Sequence, residues 1–453
     1  MVLLICSAIL FNGGCFSEKK DNPVSKPMLT NDFSWDNAAV YFVYVDRFFN
    51  GDKTNDQNYN RKTDYGSAEK NVSTFHGGDL VGLTKKLEEG YFTDLGINAI
   101  WVTGVYEQIH GWLGGGANND FPHYGYHGYY TMDFTMIDRN YGTIEEFRKF
   151  VNLAHSKNIR VIMDAGLNHP GYSSFLDAVQ YNFGGVKMTE EEAVNHIEGW
   201  GDSYFSKFNF SDKAEWEKWW GSDWVREGSD ENNQNVLTES IFGLADFKTE
   251  SKEFVNIPYF LKKKWENEGD KCTAWENPSA AKYKKDLELA QSDYVIKWVS
   301  SWVEEFGIDG FRCDVVDNVD LFRWKQLNQE CNTALDKWRS KNKDKIASNW
   351  KDKFWMTGDI WDSNYEVNKK YADVGFKSIV NFTFPKTGDL NSIGDVWQKY
   401  ADYFYLKNDW NALSFLNNTY KRDVDINNMI NCGTTLILAP SAIQILKLQD
   451  HLE

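Results

Sequence analysis

The sequence has few prolines, no closely paired cysteines and no cluster of basic residues, and each shortage excludes a class of protein. Eight prolines in 453 residues, without any low-complexity tract, exclude a fibrous or disordered chain. None of the six cysteines forms a Cys-x-x-Cys pair, which removes zinc-ribbon and thioredoxin-like sites. Lys and Arg number 49 against 66 Asp and Glu, a formal net charge of −17, so nucleic acid is not an expected partner.

Aromatic residues are what the sequence has in excess. The chain contains 19 Trp, 23 Tyr and 30 Phe within a hydrophobic fraction of 42%, which is enough for a large core. Aromatic rings pack cores, and their faces also stack on sugar rings. The length is compatible with two or three domains or with one large α/β barrel that carries an insertion.

The N-terminal segment is mostly apolar from Met1 to Gly14, which is too short for a permanent membrane span. It ends at Cys15 and is followed by a polar run, and this arrangement resembles a bacterial lipoprotein signal. We therefore predict a signal with its anchor cysteine at 1–15, a tether at 16–34, and an exported protein whose only membrane contact is a lipid anchor, in the periplasm or at the cell surface. The alternative is a soluble protein with a frayed apolar start. No later segment is long and apolar enough to cross a membrane.

Short β-rich runs alternate with helical patterns along the rest of the chain. Thr143 and Glu146 form a capping box before an amphipathic helix, and a later helix stops at Gly307. The predicted strands are Ala39–Val45, Ala99–Thr103, Arg160–Asp164, Ile308–Asp314, Phe354–Thr357, Ser378–Phe382, Ala412–Leu416 and Ala442–Leu446. Each of the first seven is followed by a helical stretch, which favours a (β/α)₈ TIM barrel over a doubly wound sheet. The barrel would comprise 35–169 and 290–453.

One interval is too long for a loop between a strand and a helix. Residues 170–289 separate the third strand from the helix before the fourth, and we predict an inserted subdomain there. Its seven tryptophans, some of which could stack on sugars, are Trp200, Trp216, Trp219, Trp220, Trp224, Trp265 and Trp275.

Polar residues at the C-terminal strand ends are the first candidates for chemistry, because those ends face the active site of such a barrel. The period of two places Arg312 and Asp314 on one face of the fourth strand, and Asp359 follows the fifth. Two carboxylates from neighbouring strands are the arrangement that glycoside hydrolysis uses. A solvated ion pair at the barrel mouth is the alternative for each strand-end Asp alone. The third strand contributes Asp164 and, a few residues later, His169.

Several motifs in a fixed order resemble the α-amylase family, glycoside hydrolase family 13, from about Trp35 to Pro440. Besides the ends of strands three to five, they are Asp46–Gly51, Thr74–Asp79, Gln108–Trp112, Phe121–Tyr124 and Tyr126–Tyr130. The resemblance implies retaining cleavage of an α-1,4-glucan such as starch or a maltooligosaccharide. Asp314 would be the nucleophile, oriented by Arg312, Asp359 would stand in the position of the general acid, and Asp164 would be structural. The substrate-binding positions that it implies are His127, Tyr129, His169 and Arg422. For each histidine, a core or surface role is the alternative.

The resemblance also implies calcium. An oxygen-rich loop and the turn that follows it match one family site, with ligands Asn50, Asp52, Asn55, Asp56, Gly77 and Asp79. The bare sequence of this loop is also compatible with an ordinary polar turn. A second site, formed by Asn168, Asp246 and Asn318, would join the inserted subdomain to the barrel.

The sequence departs from the family pattern at three places. The family's general acid is Glu, one methylene longer than Asp359. Thr419 and Tyr420 align with a His-Asp pair at the end of strand seven, and Asp317 and Asn318 replace a Lys-His pair after the nucleophile. The sequence also ends at Glu453, before the last barrel helix and the C-terminal β-domain that the family usually carries. We expect a partner to cover the face that this leaves open, or the reading frame to be split.

Two functional readings remain. The first is an α-amylase-type hydrolase of low or altered activity, in which either water or a sugar accepts the glucosyl group. The second is a glucan-binding lipoprotein without catalytic activity.

Overall fold

The computed structural model describes residues 33–61, 63, 73–115, 121–195, 205–226, 235–360, 369–381 and 398, together with the backbone of 411–415 and 443–446. The chain divides into two units, Met1–Phe33 and Ser34–Glu453. Except for Phe33, the described residues belong to the second unit. The predicted signal, anchor Cys15 and most of the tether lie outside them.

Eight parallel strands close into a barrel in which each strand pairs with its neighbours in the sequence order of the eight, and the eighth pairs with the first. We number them β1 to β8: Ala39–Val43, Ala99–Val102, Arg160–Gly166, Gly310–Asp314, Trp355–Gly358, Ser378–Asn381, Asn411–Phe415 and Ile443–Leu446. All eight predicted strands are present, within two residues of the predicted bounds at each end. The (β/α)₈ fold class is therefore confirmed.

Four long helices cover the described part of the barrel: α1 (Leu80–Glu88), α2 (Ile144–Ser156), α3 (Gln291–Phe306) and α4 (Leu321–Lys341). The predicted capping box starts α2, since the Thr143 backbone N–H donates to Glu146 at 2.7 Å and Thr143 Oγ1 accepts from the Glu146 N–H. Helix α3 ends at Gly307, whose φ of 74° is left-handed and suits glycine. Its buried face carries Trp298, whose ring stacks on Phe134, and Trp302, whose Nε1 donates to the Phe134 carbonyl at 2.8 Å.

Further helices and short strands fill the connections. The helices are Val45–Phe48, Tyr91–Asp94, Phe175–Tyr181, Glu190–Val194, Lys213–Trp216, Tyr259–Glu268, Pro278–Ala281 and Lys369–Ala372. The strands pair as Tyr106–Gln108 with Thr131–Ile137, Leu113–Gly115 with Phe121–His123, and Val225–Arg226 with Asp246–Phe247. Within the described ranges, no helix is long and apolar enough to cross a membrane.

Apolar residues recur at helical spacing at Leu80, Leu83, Leu87, Tyr91 and Leu95, but this stretch does not form one continuous helix. Helix α1 ends at Glu88 and a separate short helix begins at Tyr91, whereas the sequence spacing runs on to Leu95. Leu95 is 40% exposed, so the last residue of the repeat does not join the core.

A long segment lies between β3 and α3. Four of its six described tryptophans, Trp216, Trp219, Trp220 and Trp224, are buried, and Trp224 stacks on Trp298 of α3 with ring centroids 5.7 Å apart; Trp265 and Trp275 are partly buried. These four rings fill the core of the inserted segment, so a role in stacking on sugars stays a prediction only for the remaining tryptophans. Trp200 lies outside the described residues.

Candidate active site

The site is assembled by the register of three neighbouring strands. The Cα of Arg312 in β4 lies opposite Asp164 in β3 and opposite Thr357 in β5, two residues before Asp359. Asp314 lies opposite Gly166, where a Cβ would meet no atom within 4 Å. Parallel strands end at the same edge of the barrel, so these side chains converge at its mouth, and open space remains beside Asp314.

One guanidinium contacts all three carboxylates. Arg312 Nη1 lies 2.6 Å from Asp314 Oδ1 and 3.2 Å from Asp164 Oδ1, and Arg312 Nη2 pairs with Asp359 Oδ2. Asp314 and Asp359 therefore face each other across a single side chain. Retaining glycosidases hold their two carboxyl groups about 5–5.5 Å apart, and bonding of both carboxylates to one guanidinium is compatible with such a spacing.

The backbone after β4 and β5 fixes where these two carboxylates begin. The Asp359 N–H donates to the Cys313 carbonyl at 2.9 Å, and the Asp359 carbonyl accepts from Val316 at 3.1 Å. Between Asp314 and Val316, Val315 adopts a left-handed φ of 49°. A β-branched residue rarely takes this conformation, and such strain is concentrated at functional sites. The turn directs the chain away from the strand immediately after Asp314.

The three carboxylates differ in how deeply they are buried. Burial raises the pKa of Asp164 to about 7, against the opposing charge of Arg312. Burial also raises the pKa of Asp359, although Arg312 again opposes the shift. The side chains of Asp314 and Asp359 are 16% and 21% exposed, whereas that of Asp164 is 4% exposed. Asp314 and Asp359 thus face the cleft, and Asp164 lies beneath it.

The predicted sugar-contacting residues form the wall next to these carboxylates. The Tyr129 hydroxyl donates to Asp164 Oδ2 at 2.9 Å, and the Tyr129 N–H donates to His127 Nδ1 at 3.0 Å. Burial lowers the pKa of His127 and of His169, so both rings are neutral at pH 7. His169 Nδ1 contacts Asn168 Oδ1 at 3.0 Å, and the His169 ring also hydrogen-bonds the Tyr129 backbone. Tyr129 and His169 therefore lie near enough to Asp314 to feel its charge, and the His127 ring stacks on Tyr129 with centroids 5.5 Å apart.

An aromatic row continues from this wall to a loop that the sequence alone did not single out. Tyr130 packs edge-to-face on His127 and on Tyr172, with ring centroids 4.3 and 5.0 Å apart. The Tyr172 hydroxyl donates to the Phe242 carbonyl, and the Phe242 side chain is 83% exposed. Its position four residues before Asp246 is the one sequence signal that could have drawn attention to it. A second residue that was missed is Trp101 in β2, whose ring lies 5.5 Å from the Arg312 guanidinium.

The residues that follow β7 lie outside the described part of the chain. Arg422, a predicted substrate-binding residue, and the aligned Thr419 and Tyr420 lie outside the described residues, so their predicted roles stay predictions. The replaced pair after the nucleophile is described: Lys370 Nζ lies 3.0 Å from Asp317 Oδ1, and the Tyr371 hydroxyl also donates to that oxygen. A lysine from the helix after β5 therefore balances the anion that departs from the family pattern.

The loop predicted to hold calcium has the chemistry of a cation site. The side-chain oxygens of Asn50 and Asn55 are buried and have no hydrogen-bond partner among the described residues. A Cβ on Gly77, whose φ is +88°, would lie 2.4 Å from Asn50 Nδ2 and 2.8 Å from Asp56 Oδ1, so only glycine fits the enclosed turn. Two orphaned amide oxygens beside the buried Asp56 fit a hard cation.

Asp79 and Asp52 complete this loop. Burial raises the pKa of Asp79 to about 6, and its carboxylate accepts from the backbone of Gly82, at 2.6 Å, and of Asp52, at 2.8 Å. Asp79 thereby caps helix α1 while it faces the loop. Across the described residues, no group of three or more His, Cys, Asp or Glu side chains is placed to hold a metal ion, so the fit depends on amide oxygens.

The residues of the second predicted calcium site come together, but their oxygens are already engaged. Asn168 Nδ2 donates to Asp246 Oδ1 and to the Asn318 carbonyl, both at 3.0 Å. Asp246 Oδ2 accepts from Arg226 Nη1 at 2.7 Å. No buried side-chain atom of these residues lacks a partner, in contrast to Asn50 and Asn55. This arrangement does not fit a cation.

The comparisons with known proteins agree with this geometry. The structure is similar to the crystal structure of an alpha-amylase from Anoxybacillus, with a TM-score of 0.55 and 20% identity over 92% of this chain and 71% of that one, which supports the fold alone. The sequence is 33% identical to a cyclomaltodextrin glucanotransferase from Niallia circulans over 36% of this chain and 22% of that protein.

A longer match is to the periplasmic alpha-amylase of Escherichia coli (strain K12), at 37% identity over 98% of this chain. The chain spans 64% of the length of that protein. The family pattern for the alpha-amylase catalytic domain matches residues 42–431. Since this match covers most of the chain and includes the strand-end carboxylates, the chain belongs to the alpha-amylase family of glycoside hydrolases.

Proposed function

We propose that the protein cleaves α-1,4-glucosidic bonds of starch or maltodextrin with retention of configuration, at a reduced rate. The observation that carries this proposal is the sharing of Arg312 by Asp314, Asp164 and Asp359 at the barrel mouth. The neutral histidines and Tyr129 beside it offer hydrogen bonds and a ring face to a glucosyl unit. The relative named periplasmic alpha-amylase, 37% identical, supports the same substrate class.

In the proposed reaction, Asp314 is the nucleophile. Its carboxylate attacks the anomeric carbon, the bond from that carbon to the departing glucosyl oxygen breaks, and the Asp359 carboxyl gives its proton to that oxygen. A water molecule then attacks the same carbon, passes a proton to Asp359 and releases Asp314. Arg312 Nη1 donates to Asp314 Oδ1 at 2.6 Å, which holds the carboxylate in place for its attack on the anomeric carbon. A sugar hydroxyl in place of water would give transglycosylation through the same intermediate.

The proposed roles of the two strand-end carboxylates follow from their surroundings. Burial raises the pKa of Asp359, which favours the protonated form that an acid requires. Its side chain is one methylene shorter than the Glu that the family pattern has there. The proton donor is therefore withdrawn from the leaving oxygen, and the reduced rate follows from this withdrawal.

Calcium is proposed to stabilise the first loop. Asn50, Asp52, Asn55, Asp56, Gly77 and Asp79 would hold the ion, which would supply a structural cross-link between this loop and the start of α1. The arrangement of Asn168, Asp246 and Asn318 supports no second ion.

The proposed location is outside the cytoplasm, with a lipid anchor at Cys15. The lipoprotein-like segment 1–15 and the periplasmic relative support export. Labelling of the expressed full chain with a radioactive fatty acid, compared with Cys15→Ser, would detect the anchor. Absence of label in the unchanged chain would exclude it.

The test of the activity is a reducing-end assay on maltooligosaccharides with calcium present. We expect turnover that is lost in Asp314→Asn, a substitution that keeps the shape of the side chain and removes the nucleophile. Turnover by Asp314→Asn at the rate of the unchanged protein would show that the activity is not that of this site.

The second candidate function is glucan binding without catalysis, and the direct pairing of Asp359 with Arg312 favours it. A carboxylate held in an ion pair is a poor proton donor. The double change Asp359→Glu with Tyr420→Asp separates the two functions. Recovery of hydrolysis would identify a cleft that is intact apart from these positions, whereas calorimetric binding of maltohexaose without any turnover in either protein would establish a binding protein.

A further inference from the structure

We propose that Arg226 takes the place of a divalent cation between the inserted segment and the barrel, and that through Asn168 it positions His169. Arg226 and Asp246 are paired opposite each other in the small sheet Val225–Arg226 with Asp246–Phe247. Asn168 follows β3, and Asn318 follows the nucleophile strand β4.

The hydrogen bonds of this junction form one connected set. Arg226 Nη1 donates to Asp246 Oδ2 at 2.7 Å, and Asp246 Oδ1 accepts from Asn168 Nδ2 at 3.0 Å. The Phe247 N–H donates to the Asn168 carbonyl at 2.7 Å. A cation bound here would have to displace the guanidinium from Asp246 and the amide donor from two oxygens.

The charges around Asp246 also favour Arg226 over a bound divalent cation. Asp246 is the only carboxylate among the three residues of the predicted second site, and it is 1% exposed. Calcium sites use several oxygen ligands and gain affinity from carboxylate charge. The Arg226 guanidinium supplies the positive charge beside Asp246, and its other terminal nitrogen pairs with Glu250, so that one guanidinium lies between two carboxylates. A buried carboxylate without a counter-charge would be strongly unfavourable, so the position requires a cation, and the chain supplies its own.

The hydrogen bonds that join Arg226, Asp246 and Asn168 also extend to the active site. Asn168 Oδ1 contacts His169 Nδ1 at 3.0 Å, and the Asn168 amide bonds the Asn318 carbonyl in the turn after Asp314. Asn318 Nδ2 in turn donates to the Val236 carbonyl at 2.6 Å, in the loop that leads to Phe242. Arg226 is therefore a positioning residue: it orders Asn168, which sets the orientation of His169 and joins the two loops that border the cleft.

The experiment measures calcium stoichiometry by calorimetry and melting temperature, with and without calcium, in the full chain. Asp56→Asn removes the first-loop site and serves as the background, and Arg226→Met is introduced into it. Arg226→Lys keeps the positive charge. Arg148→Met is the matched control, because Arg148 is 30% exposed against 27% for Arg226 and likewise pairs with two carboxylates, on the far side of α2.

We expect the Asp56→Asn protein to bind no calcium and to melt at the same temperature with and without it. Adding Arg226→Met should lower the melting temperature more than Arg148→Met does, and excess calcium should restore part of that loss with one bound equivalent. Arg226→Lys should retain most of the stability without calcium. In the assay, Arg226→Met should raise KM for maltooligosaccharides more than it lowers kcat, because His169 loses its orientation.

Three results would overturn the proposal. A calcium equivalent retained by Asp56→Asn with Arg226 intact would mean that the junction already holds a cation. Equal melting temperatures for Arg226→Met and Arg148→Met would mean that the guanidinium is dispensable. No rescue by calcium in Arg226→Met would mean that the position does not accept a cation. If Arg226→Met does not fold, the calcium stoichiometry of Asp56→Asn and the melting temperature of Arg226→Lys still test the proposal.

Discussion

Lengthening Asp359 by one methylene tests the proposed chemistry most directly. In Asp359→Glu the backbone stays in place, because the residue 359 N–H and carbonyl bond Cys313 and Val316 across the strand ends. The side chain is 21% exposed toward the cleft, so the extra carbon extends into open space rather than into the core. The change moves the carboxyl toward the departing oxygen by about 1.5 Å, one carbon–carbon bond.

The magnitude follows from this displacement. A misplacement of about 1 Å in a catalytic group costs about 100-fold in rate. We therefore expect kcat on maltohexaose to rise about 100-fold in Asp359→Glu, which corresponds to about 2.7 kcal/mol of transition-state stabilisation. A 4-nitrophenyl maltoside should gain far less, because its leaving group needs little protonation. The contrast between the two substrates identifies the gain as acid catalysis.

The control lies at the other end of the same strand. Asp352, 23% exposed and paired with Arg160, precedes β5 on the side remote from the cleft. Asp352→Glu makes the same chemical change and should leave both substrates at their original rates. If Asp359→Glu leaves maltohexaose turnover unchanged while the protein remains folded, or raises both substrates equally, the reasoning from acid placement is refuted.

Three further predictions concern the metal, the pH dependence and the cleft. Millimolar calcium should raise the melting temperature of the unchanged protein but not that of Asp56→Asn, with about 2.7 kcal/mol of stabilisation at 100 times Kd; an equal shift in both would place the ion elsewhere. Since burial raises the pKa of Asp164 to about 7, from 3.8, its protonation stabilises the native state fully below pH 3.8, and this stabilisation is lost as the pH rises to 7. Asp164→Asn should therefore flatten the fall in melting temperature between pH 4 and 7, and an unchanged slope would argue against this assignment. Phe242→Ala should raise KM for maltoheptaose but not for maltotriose, because the exposed ring lies at the far end of the aromatic row from Asp314; an equal effect on both would exclude a contact with distant sugars.

Local sequence features were sufficient for the elements of the barrel. Strands, the Thr143 capping box and the stop at Gly307 depend on side-chain alternation and on backbone preferences within a few residues. The strand-end positions of Asp164, Asp314 and Asp359 follow from the strands themselves. The resemblance to the α-amylase family, which the family match bears out, rests on motifs of the same local kind.

Contacts between distant parts of the chain determined how the site residues are arranged and which predicted calcium site fits an ion. Arg312 and Asp164 are 148 residues apart, and only the closed register of parallel strands places that guanidinium against three carboxylates. From the sequence alone, some tryptophans of the insertion could stack on sugars, whereas in the structure four of them are buried in the core. The two predicted calcium sites look alike as sequence, with oxygen-rich residues in loops. Tertiary structure separates them, because whether an oxygen is orphaned or already bonded depends on neighbours such as Arg226, which no local pattern of residues specifies.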